Sequence, residues 1–329
     1  MTAVDVTLRN LATTVVPGGA EIIGLITVLI VLAAVANVEL DRKHIQVDLI
    51  LNLVSTRNRR AMIAAGLILT LAVMATTAVQ MFAQSDYLMR NHIVTARLGL
   101  PHWPFVGAAA AYVLLFALAL VANLAKDLAA VLRDGGLWIV LIGAFVATII
   151  VTFVFNPELL PYEASRPVKG LLCILLCFSL IFLGVHVATG MAVTALLGIA
   201  LLISPSASLT SLGTASIAVV GDPLWSVIPL FTWMGLIVVA SGFAQDLYRA
   251  AYRWIGHLPG GLASASTVAC AGLSSIVGDT LSGVYSMGSI ALPQMKQYGY
   301  DMKLATASIA CAATIGVLIP PSIAFIVEC

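Results

Sequence analysis

Residues 266–296 read STVACAGLSSIVGDTLSGVYSMGSIALPQMK, and their middle is too polar and too rich in glycine for an ordinary membrane-spanning helix. Asp279 lies at the centre and is the only Asp, Glu, Lys or Arg between Arg253 and Lys296. Because a charged side chain at membrane depth costs about 3 kcal/mol on insertion scales, it normally faces a cavity or a partner. Glycines that interrupt an apolar run indicate a re-entrant hairpin, whose free carbonyls can bind a cation and whose half-helix N-termini can face an anion.

The polar and glycine residues of this hairpin form the first part of a predicted ion- or substrate-binding site. They are Ser274, Ser275, Gly278, Asp279, Thr280, Ser282 and Gly283. An alternative is that Asp279 only caps the second half-helix, by accepting from the N–H of Leu281 or Ser282. Capping and ion binding can coexist, so both interpretations stay open.

A second break in an apolar segment follows at residues 307–328, ASIACAATIGVLIPPSIAFIVE. Pro320 and Pro321 cannot both continue a helix, because each lacks an N–H and clashes with the preceding turn. The released carbonyls are candidate oxygen ligands for a small hard cation, although the prolines taken alone favour a simple kink. The second part of the predicted site is Thr314, Gly316, Pro320, Pro321 and Ser322, with a Na⁺ ion expected near Gly278, Asp279 and Thr314.

Composition places the chain in a membrane. Of its 329 residues, 61% are hydrophobic and 9% are charged, whereas a soluble domain has about half apolar and about a quarter charged residues. Sixteen Lys and Arg nearly balance fifteen Asp and Glu, so no basic face indicates nucleic-acid binding. We predict an all-α, multi-spanning integral membrane protein.

Apolar windows of about 20 residues predict the membrane-spanning helices. The region 170–203 is either one helix broken near Gly184 or two short helices, and two crossings are preferred. The segments 262–293 and 304–327 are apolar but interrupted. The clear windows are 20–38, 61–83, 105–124, 136–155 and 225–243.

Residues 39–60, ELDRKHIQVDLILNLVSTRNRR, alternate apolar and charged residues and predict an interfacial helix. This is the most basic loop of the chain, which places it in the cytoplasm by the positive-inside rule. Residues 86–104 are then expected outside and 245–261 inside. On such a helix His44 and Asp48 are expected to form a solvated pair rather than a metal site.

The stretch from about residue 180 to 329 resembles the large, M-type membrane subunit of TRAP (tripartite ATP-independent periplasmic) transporters. The resemblance rests on FLGVHVATGMAVTALLGIALL, IPLFTWMGLIVVASGFAQDLYRAAYRWIGHLPGGLA, MGSIALPQMKQYGYD and TIGVLIPPSI. The earlier stretch GGAEIIGLITVLIVLAAVANVELDRKHIQVDLI is similar to the small, Q-type subunit. Together they indicate a fused arrangement, with Q-like scaffold helices in 1–130, a joining helix and loop in 131–169, and the first half of an M-like transport domain in 170–329.

The resemblance implies a transport function and no enzymatic one. It implies a permease of the bacterial inner membrane, in contact with lipid, that imports a small organic anion such as a carboxylate by sodium symport. A periplasmic substrate-binding protein delivers the solute, and hairpins and broken helices move against a fixed scaffold as an elevator. No cofactor is expected beyond Na⁺ as coupling ion. The hairpin tip would lie at 274–283 and the broken helix at 314–322.

Two departures from the family pattern affect this interpretation. Where many members have Ser-Gly-Ser at the hairpin tip, this chain has Val277, Gly278 and Asp279, which leaves the coupling ion and the substrate charge open. The sequence also holds one of the two inverted repeats from which M-type subunits are built, as expected of a chain truncated at both ends. The alternatives are a non-transporting scaffold or degenerate fragment, and an intramembrane enzyme that uses Asp279 but lacks an obvious second catalytic group.

Overall fold

The chain is described by a computed structural model that covers residues 8, 11, 16–47, 50–134, 138, 140, 141, 144, 145, 148, 166–278, 280–319 and 322. These residues form α-helices, turns and loops without a β-strand, and they belong to two compact units, Met1–Gly221 and Asp222–Cys329. The all-α membrane fold predicted from the sequence is therefore confirmed. Helices long and apolar enough to cross a membrane within the described ranges are Gly19–Leu40, Thr56–Arg90, Trp103–Arg133 and Pro223–Ala240.

The first unit contains six helices among its described residues. They are α1 Gly19–Leu40, α2 Thr56–Arg90, α3 Trp103–Asp134, α4 Arg166–Phe182, α5 Val187–Leu202 and α6 Pro205–Val220. Side-chain caps fix two of the starts: Ser55 accepts from the N–H of Asn58 before α2, and Ser204 accepts from the N–H of Ala207 before α6. The predicted span at 136–155 lies mostly outside the described residues.

Small side chains bring the helices of the first unit together. α2 packs along α3, and α1 lies against α3. Alanines at the contacts let the backbones approach closely, which is how membrane helices pack without large apolar knobs. The almost fully buried alanines are Ala61, Ala64, Ala78, Ala109 and Ala110.

The first unit contains helices from both the Q-like and the M-like part of the sequence. α5 and α6 pack on α2, and the hydroxyls of Thr70 in α2 and Thr189 in α5 lie 3.1 Å apart. Leu69 and Val73 of α2 share a core with Val193 of α5. The M-like helices α4–α6 thus form one body with the Q-like helices α1–α3, while the domain limits 1–130, 131–169 and 170–329 stay a prediction.

The prediction of an interfacial helix at residues 39–60 is wrong. α1 ends at Leu40, α2 begins at Thr56, and the described residues between them form turns and loop. Arg42 adopts a left-handed conformation with φ +53°, and the N–H of Lys43 donates to the carbonyl of Val38. This Schellman arrangement terminates α1, and burial of a loop side chain, Leu51, in the protein core replaces burial in the lipid interface.

The region 170–203 forms two helices, α4 and α5, as preferred from the sequence. They are separated by residues 183–186, where Gly184 has φ +86°. A side chain at Gly184 would also collide with Leu51, because an added Cβ would lie 2.7 Å from its Cγ. The turn therefore requires glycine for its conformation and for the close approach of the loop that joins α1 to α2.

The second unit contains a short 3-10 helix and five described α-helices. They are the 3-10 helix Pro223–Ser226, α7 Val227–Ala240, α8 Phe243–Ile255, α9 Gly261–Val277, α10 Thr280–Gln297 and α11 Met302–Leu318. α8 is amphipathic: Ala244, Tyr248 and Ala251 are buried in the core, and Arg249 and Arg253 are exposed. The core of this unit is formed by α8, α9, α10 and α11.

Candidate functional site

The candidate site lies where α9, α10 and α11 meet. α9 and α11 pack closely, and the thiol of Cys270 in α9 donates to the carbonyl of Ile309 in α11 at 3.6 Å. The contact is built from small buried residues, which let the two backbones approach. These residues are Ala265, Ala269, Ser274, Ala305, Ala312, Ala313 and Gly316.

A tight turn joins the two arms of the hairpin. α9 ends at Val277, and Gly278 follows with φ +69°, a conformation that favours glycine. The N–H of Gly278 donates to the carbonyl of Ser274 at 2.7 Å. α10 begins at Thr280, so two residues separate the C-terminal end of one helix from the N-terminal end of the next. The two helices form the predicted hairpin, and its re-entrant position in the membrane stays a prediction.

Ser274 is a fully enclosed polar residue of the candidate site. Its side chain is fully buried, and its hydroxyl has no hydrogen-bond partner within the described residues. Gly283 and Gly316 flank it so closely that a Cβ on either residue would collide with Ser274. A buried hydroxyl left unpaired costs about 1–3 kcal/mol, so a partner for this oxygen would be stabilising.

Two helix C-termini converge on Ser274. α9 ends three residues after it, and α11 ends two residues after its neighbour Gly316. Ile319 is extended, with φ −104° and ψ 121°, as expected for a residue before proline. Each helix C-terminus carries about half a negative charge and carbonyls without an intrahelical donor. The arrangement therefore favours a small cation beside the Ser274 hydroxyl.

The structure brings together part of the predicted set. Ser274, Gly278, Gly283 and Gly316 form the contacts just described. Ser322 is fully buried, and Thr280 is half-buried at the start of α10.

Two predicted hydroxyls point elsewhere. Ser275 donates to the carbonyl of Ala271 at 2.6 Å within α9. Thr314 is exposed and donates to the carbonyl of Cys311 at 2.7 Å within α11. Asp279, Pro320, Pro321 and the side chain of Ser282 lie outside the part of the chain that the structure describes, and the Na⁺ ion expected near Gly278, Asp279 and Thr314 stays a prediction.

A second polar cluster, in the first unit, escaped the sequence analysis. Glu39 is 2% exposed and Asn123 is 1% exposed, and the Asn123 amide donates to the Glu39 carboxylate at 2.9 Å. His44 and His186 lie beside them, and the expected solvated pair of His44 with Asp48 is not described because Asp48 lies outside the described residues. Asn123 sits in an apolar window, where a polar residue normally has a partner, and that signal could have found the cluster.

Metal binding by the usual side-chain ligands finds no support in the described ranges. Among those residues no group of three His, Cys, Asp or Glu lies close enough to hold a metal ion. The polar atoms around Ser274 are instead a hydroxyl and backbone carbonyls, atom types that suit an alkali-metal cation better than zinc.

Two family models match the chain. Residues 174–328 match the model described as "Tripartite ATP-independent periplasmic transporter, DctM component". Residues 1–130 match "Tripartite ATP-independent periplasmic transporters, DctQ component". Both models describe transporter components and not enzymes, and together they cover the chain apart from 131–173 and the last residue.

Individual relatives match about a third to a half of the chain. The "C4-dicarboxylate TRAP transporter large permease protein DctM" of Vibrio cholerae is 33% identical over 157 residues, 47% of this chain and 34% of the relative. The "Isethionate TRAP transporter permease protein DctMQ" of Oleidesulfovibrio alaskensis is 37% identical over 100 residues, 30% and 16% of the two chains. The "Ectoine/5-hydroxyectoine TRAP transporter large permease protein UehC" of Ruegeria pomeroyi is 33% identical over 100 residues, 30% and 23%. The match spans about a third or less of the length of these relatives.

Proposed function

Because the chain belongs to the family of tripartite ATP-independent periplasmic transporters and joins a Q-type part to an M-type part, we propose that it forms part of the membrane permease of a solute importer. The importer takes up small organic anions such as carboxylates, is driven by a sodium gradient, and lies in the bacterial inner membrane. A periplasmic binding protein delivers the solute. The names of the relatives, which include C4-dicarboxylate and isethionate transporters, support the substrate class.

The observation that carries the proposal is the convergence of α9 and α11 on the buried hydroxyl of Ser274. A cation bound there would satisfy the unpaired hydroxyl oxygen and the carbonyls at both helix ends. Broken helices that coordinate Na⁺ through such carbonyls are a recurrent device of secondary transporters. The sodium gradient would then act on the hairpin through Ser274 and Gly316.

The N-terminus of α10 favours an anion, whereas the C-termini of α9 and α11 favour a cation. Its first-turn N–H groups have no intrahelical acceptors and carry about half a positive charge. An anionic group of the solute can bind at Thr280, which lies six residues after Ser274 in sequence at the start of the next helix. Asp279 lies between the two positions in sequence, and its carboxylate would either strengthen cation binding or allow a proton to replace Na⁺.

The division into two units supports an elevator mechanism. The first unit contains α1–α6 with cores of its own, and the second contains the hairpin and α11 around a separate core. A body with its own core can move without unfolding. We expect the second unit to carry solute and cation while the first unit remains fixed in the membrane.

Uptake into proteoliposomes tests the proposal. The gene product that contains this chain is reconstituted with a periplasmic binding protein loaded with a radiolabelled C4-dicarboxylate. We expect accumulation when an inward Na⁺ gradient and the binding protein are both present. Equal uptake with choline replacing Na⁺, or without the binding protein, would refute the coupling or the delivery step respectively.

A scaffold function is the second candidate. It is favoured by the shared unit, in which Q-like and M-like helices pack through contacts such as Thr70 with Thr189. If the reconstituted chain transports nothing under any gradient but copurifies with a larger M-type subunit, the scaffold function replaces the permease function.

A further inference from the structure

The buried cluster around Glu39 connects the Q-like and M-like parts of the first unit. Glu39 lies at the end of α1, Asn123 in α3, His44 in the loop between α1 and α2, and His186 directly before α5. The loop also binds the start of α5 through its backbone, because the N–H of Val187 donates to the carbonyl of Ile45 at 3.2 Å. The cluster therefore lies at a joint between the two parts.

Hydrogen bonding within the cluster is incomplete. The Asn123 amide donates to the backbone carbonyl of Glu39 at 2.8 Å and to its Oε1 at 2.9 Å. Within the described residues, Oε2 of Glu39 and Nε2 of His44 are buried without hydrogen-bond partners, although they lie 3.6 Å apart. Oδ1 of Asn123 is also unpaired. Acceptors thus outnumber donors around a buried carboxylate, which is costly unless a proton or a cation is bound.

The space beside these atoms admits water. Side chains of the cluster line a cavity of about 50 Å³, and a water molecule needs about 10–15 Å³. Arg42 and Gln46 line the same cavity, and Arg42 is part of the exposed basic loop. Protons can therefore reach Glu39 from the solution on the side of that loop.

The charged side chains around His44 are paired in a way that allows the cluster to bind one proton. Arg42 is already paired with Asp127 of α3, at 2.8 Å, and the exposed pair of Asp41 with Lys43 is separate. α2 contributes the apolar Ile63 and Leu67 to the cavity. Among the residues that the structure describes, Glu39 therefore faces one basic partner within ion-pair distance, His44.

His186 lies beside this pair, and its surroundings disfavour a charge on it. Its ring centroid lies 5.3 Å from that of His44. Burial lowers the pKa of His186, and a charge on His44 lowers it further, while Glu39 raises it. A second proton on the cluster is thus disfavoured.

We propose that Glu39, His44 and His186 form a one-proton binding site, and that the bound proton closes the joint between the α1–α2 loop and the start of α5. When the proton is present, Nε2 of His44 donates to Oε2 of Glu39 and the imidazolium packs against neutral His186. When it leaves to water, the buried carboxylate loses its ionic partner and the loop loosens. The pH on the side of the basic loop then sets how firmly the Q-like part holds the M-like part.

Histidine NMR on the whole chain tests proton binding. The protein is labelled with ¹⁵N-histidine in lipid nanodiscs, and the ring signals are assigned with single His→Gln variants. We expect His44 to take up one proton with a midpoint at least one pH unit higher in the wild type than in Glu39→Gln, a tenfold loss of proton affinity. The control Asp41→Asn removes an exposed carboxylate near His44 and should leave the midpoint unchanged. Equal midpoints in the wild type and Glu39→Gln would overturn the proposal.

Hydrogen exchange tests closure of the joint, including the case in which Glu39→Gln fails to fold. The protection of the Val187 N–H is measured by mass spectrometry and corrected for the intrinsic pH dependence of exchange. We expect protection to fall at least tenfold as pH rises through the His44 midpoint. In His44→Gln the amide can donate to Glu39 at every pH, so the pH dependence should vanish while protection persists. The same pH dependence in His44→Gln would refute the role of His44.

Discussion

The close approach of α9 and α11 gives a prediction for Gly316→Ala. The added Cβ would lie 2.5 Å from the carbonyl carbon of Ser274 and 2.8 Å from its Cα. Because these neighbours are backbone atoms, the helices must separate by about 1 Å to reach ordinary contact, and such overpacking costs about 1–3 kcal/mol. Alanine also favours the helix by up to about 1 kcal/mol over glycine, which masks part of the loss.

The control Gly288→Ala isolates the steric cost. Its added Cβ would meet Leu292 at 3.8 Å, an ordinary contact, inside α10. We expect Gly316→Ala to unfold more easily than Gly288→Ala by about 1–3 kcal/mol, measured by denaturant unfolding in one detergent. Equal stabilities of the two variants would refute the close contact between Ser274 and Gly316.

Three further predictions concern the first unit. Leu51→Ala should lower the free energy of unfolding by about 2–5 kcal/mol, because Leu51 is 1% exposed. The control Leu53→Ala, at an 83% exposed position, should cost less than about 0.5 kcal/mol. Denaturant midpoints of the two variants measure the difference. Asn123→Leu should cost about 1.5–3 kcal/mol in the same assay, because it removes the donor to the Glu39 carboxylate, and an unchanged midpoint would contradict that hydrogen bond. Since burial lowers the pKa of His186 below its ordinary value of 6.5, the unfolded chain binds that proton at higher pH than the folded chain. This contribution to stability is present above about pH 6.5 and is lost as pH falls below it. Thermal unfolding should therefore show a smaller decrease of stability at low pH in His186→Gln than in the wild type.

Composition and apolar length were sufficient to predict the helices of the fold. The windows 20–38, 61–83 and 105–124 lie inside α1, α2 and α3. Burial in lipid requires these lengths whatever the tertiary packing. The break at Gly278 was also predictable, since a Gly-Asp pair inside an apolar run disfavours a continuous helix.

The features that the sequence did not predict depend on tertiary contacts. The loop at 41–55 has the alternating pattern of an interfacial helix, but the left-handed turn at Arg42 and the pocket for Leu51 depend on residues far along the chain. Similarly, Thr314 and Gly316 were equal candidates in sequence. A two-residue step along a helix turns them about 200° apart, so only one of them faces Ser274.

Sodium binding by the hairpin tests the account most directly. Unfolding midpoints of the purified chain are compared in NaCl and in choline chloride of equal ionic strength, for the wild type, Ser274→Ala and Ser275→Ala. The last variant is the matched control, because the Ser275 hydroxyl is bound to its own helix. A free Na⁺ concentration of about one hundred times Kd should stabilise the wild type by about 2.7 kcal/mol. We predict that Ser275→Ala keeps this gain and Ser274→Ala loses it. Equal gains in all three proteins, or none in the wild type, would contradict sodium binding at Ser274.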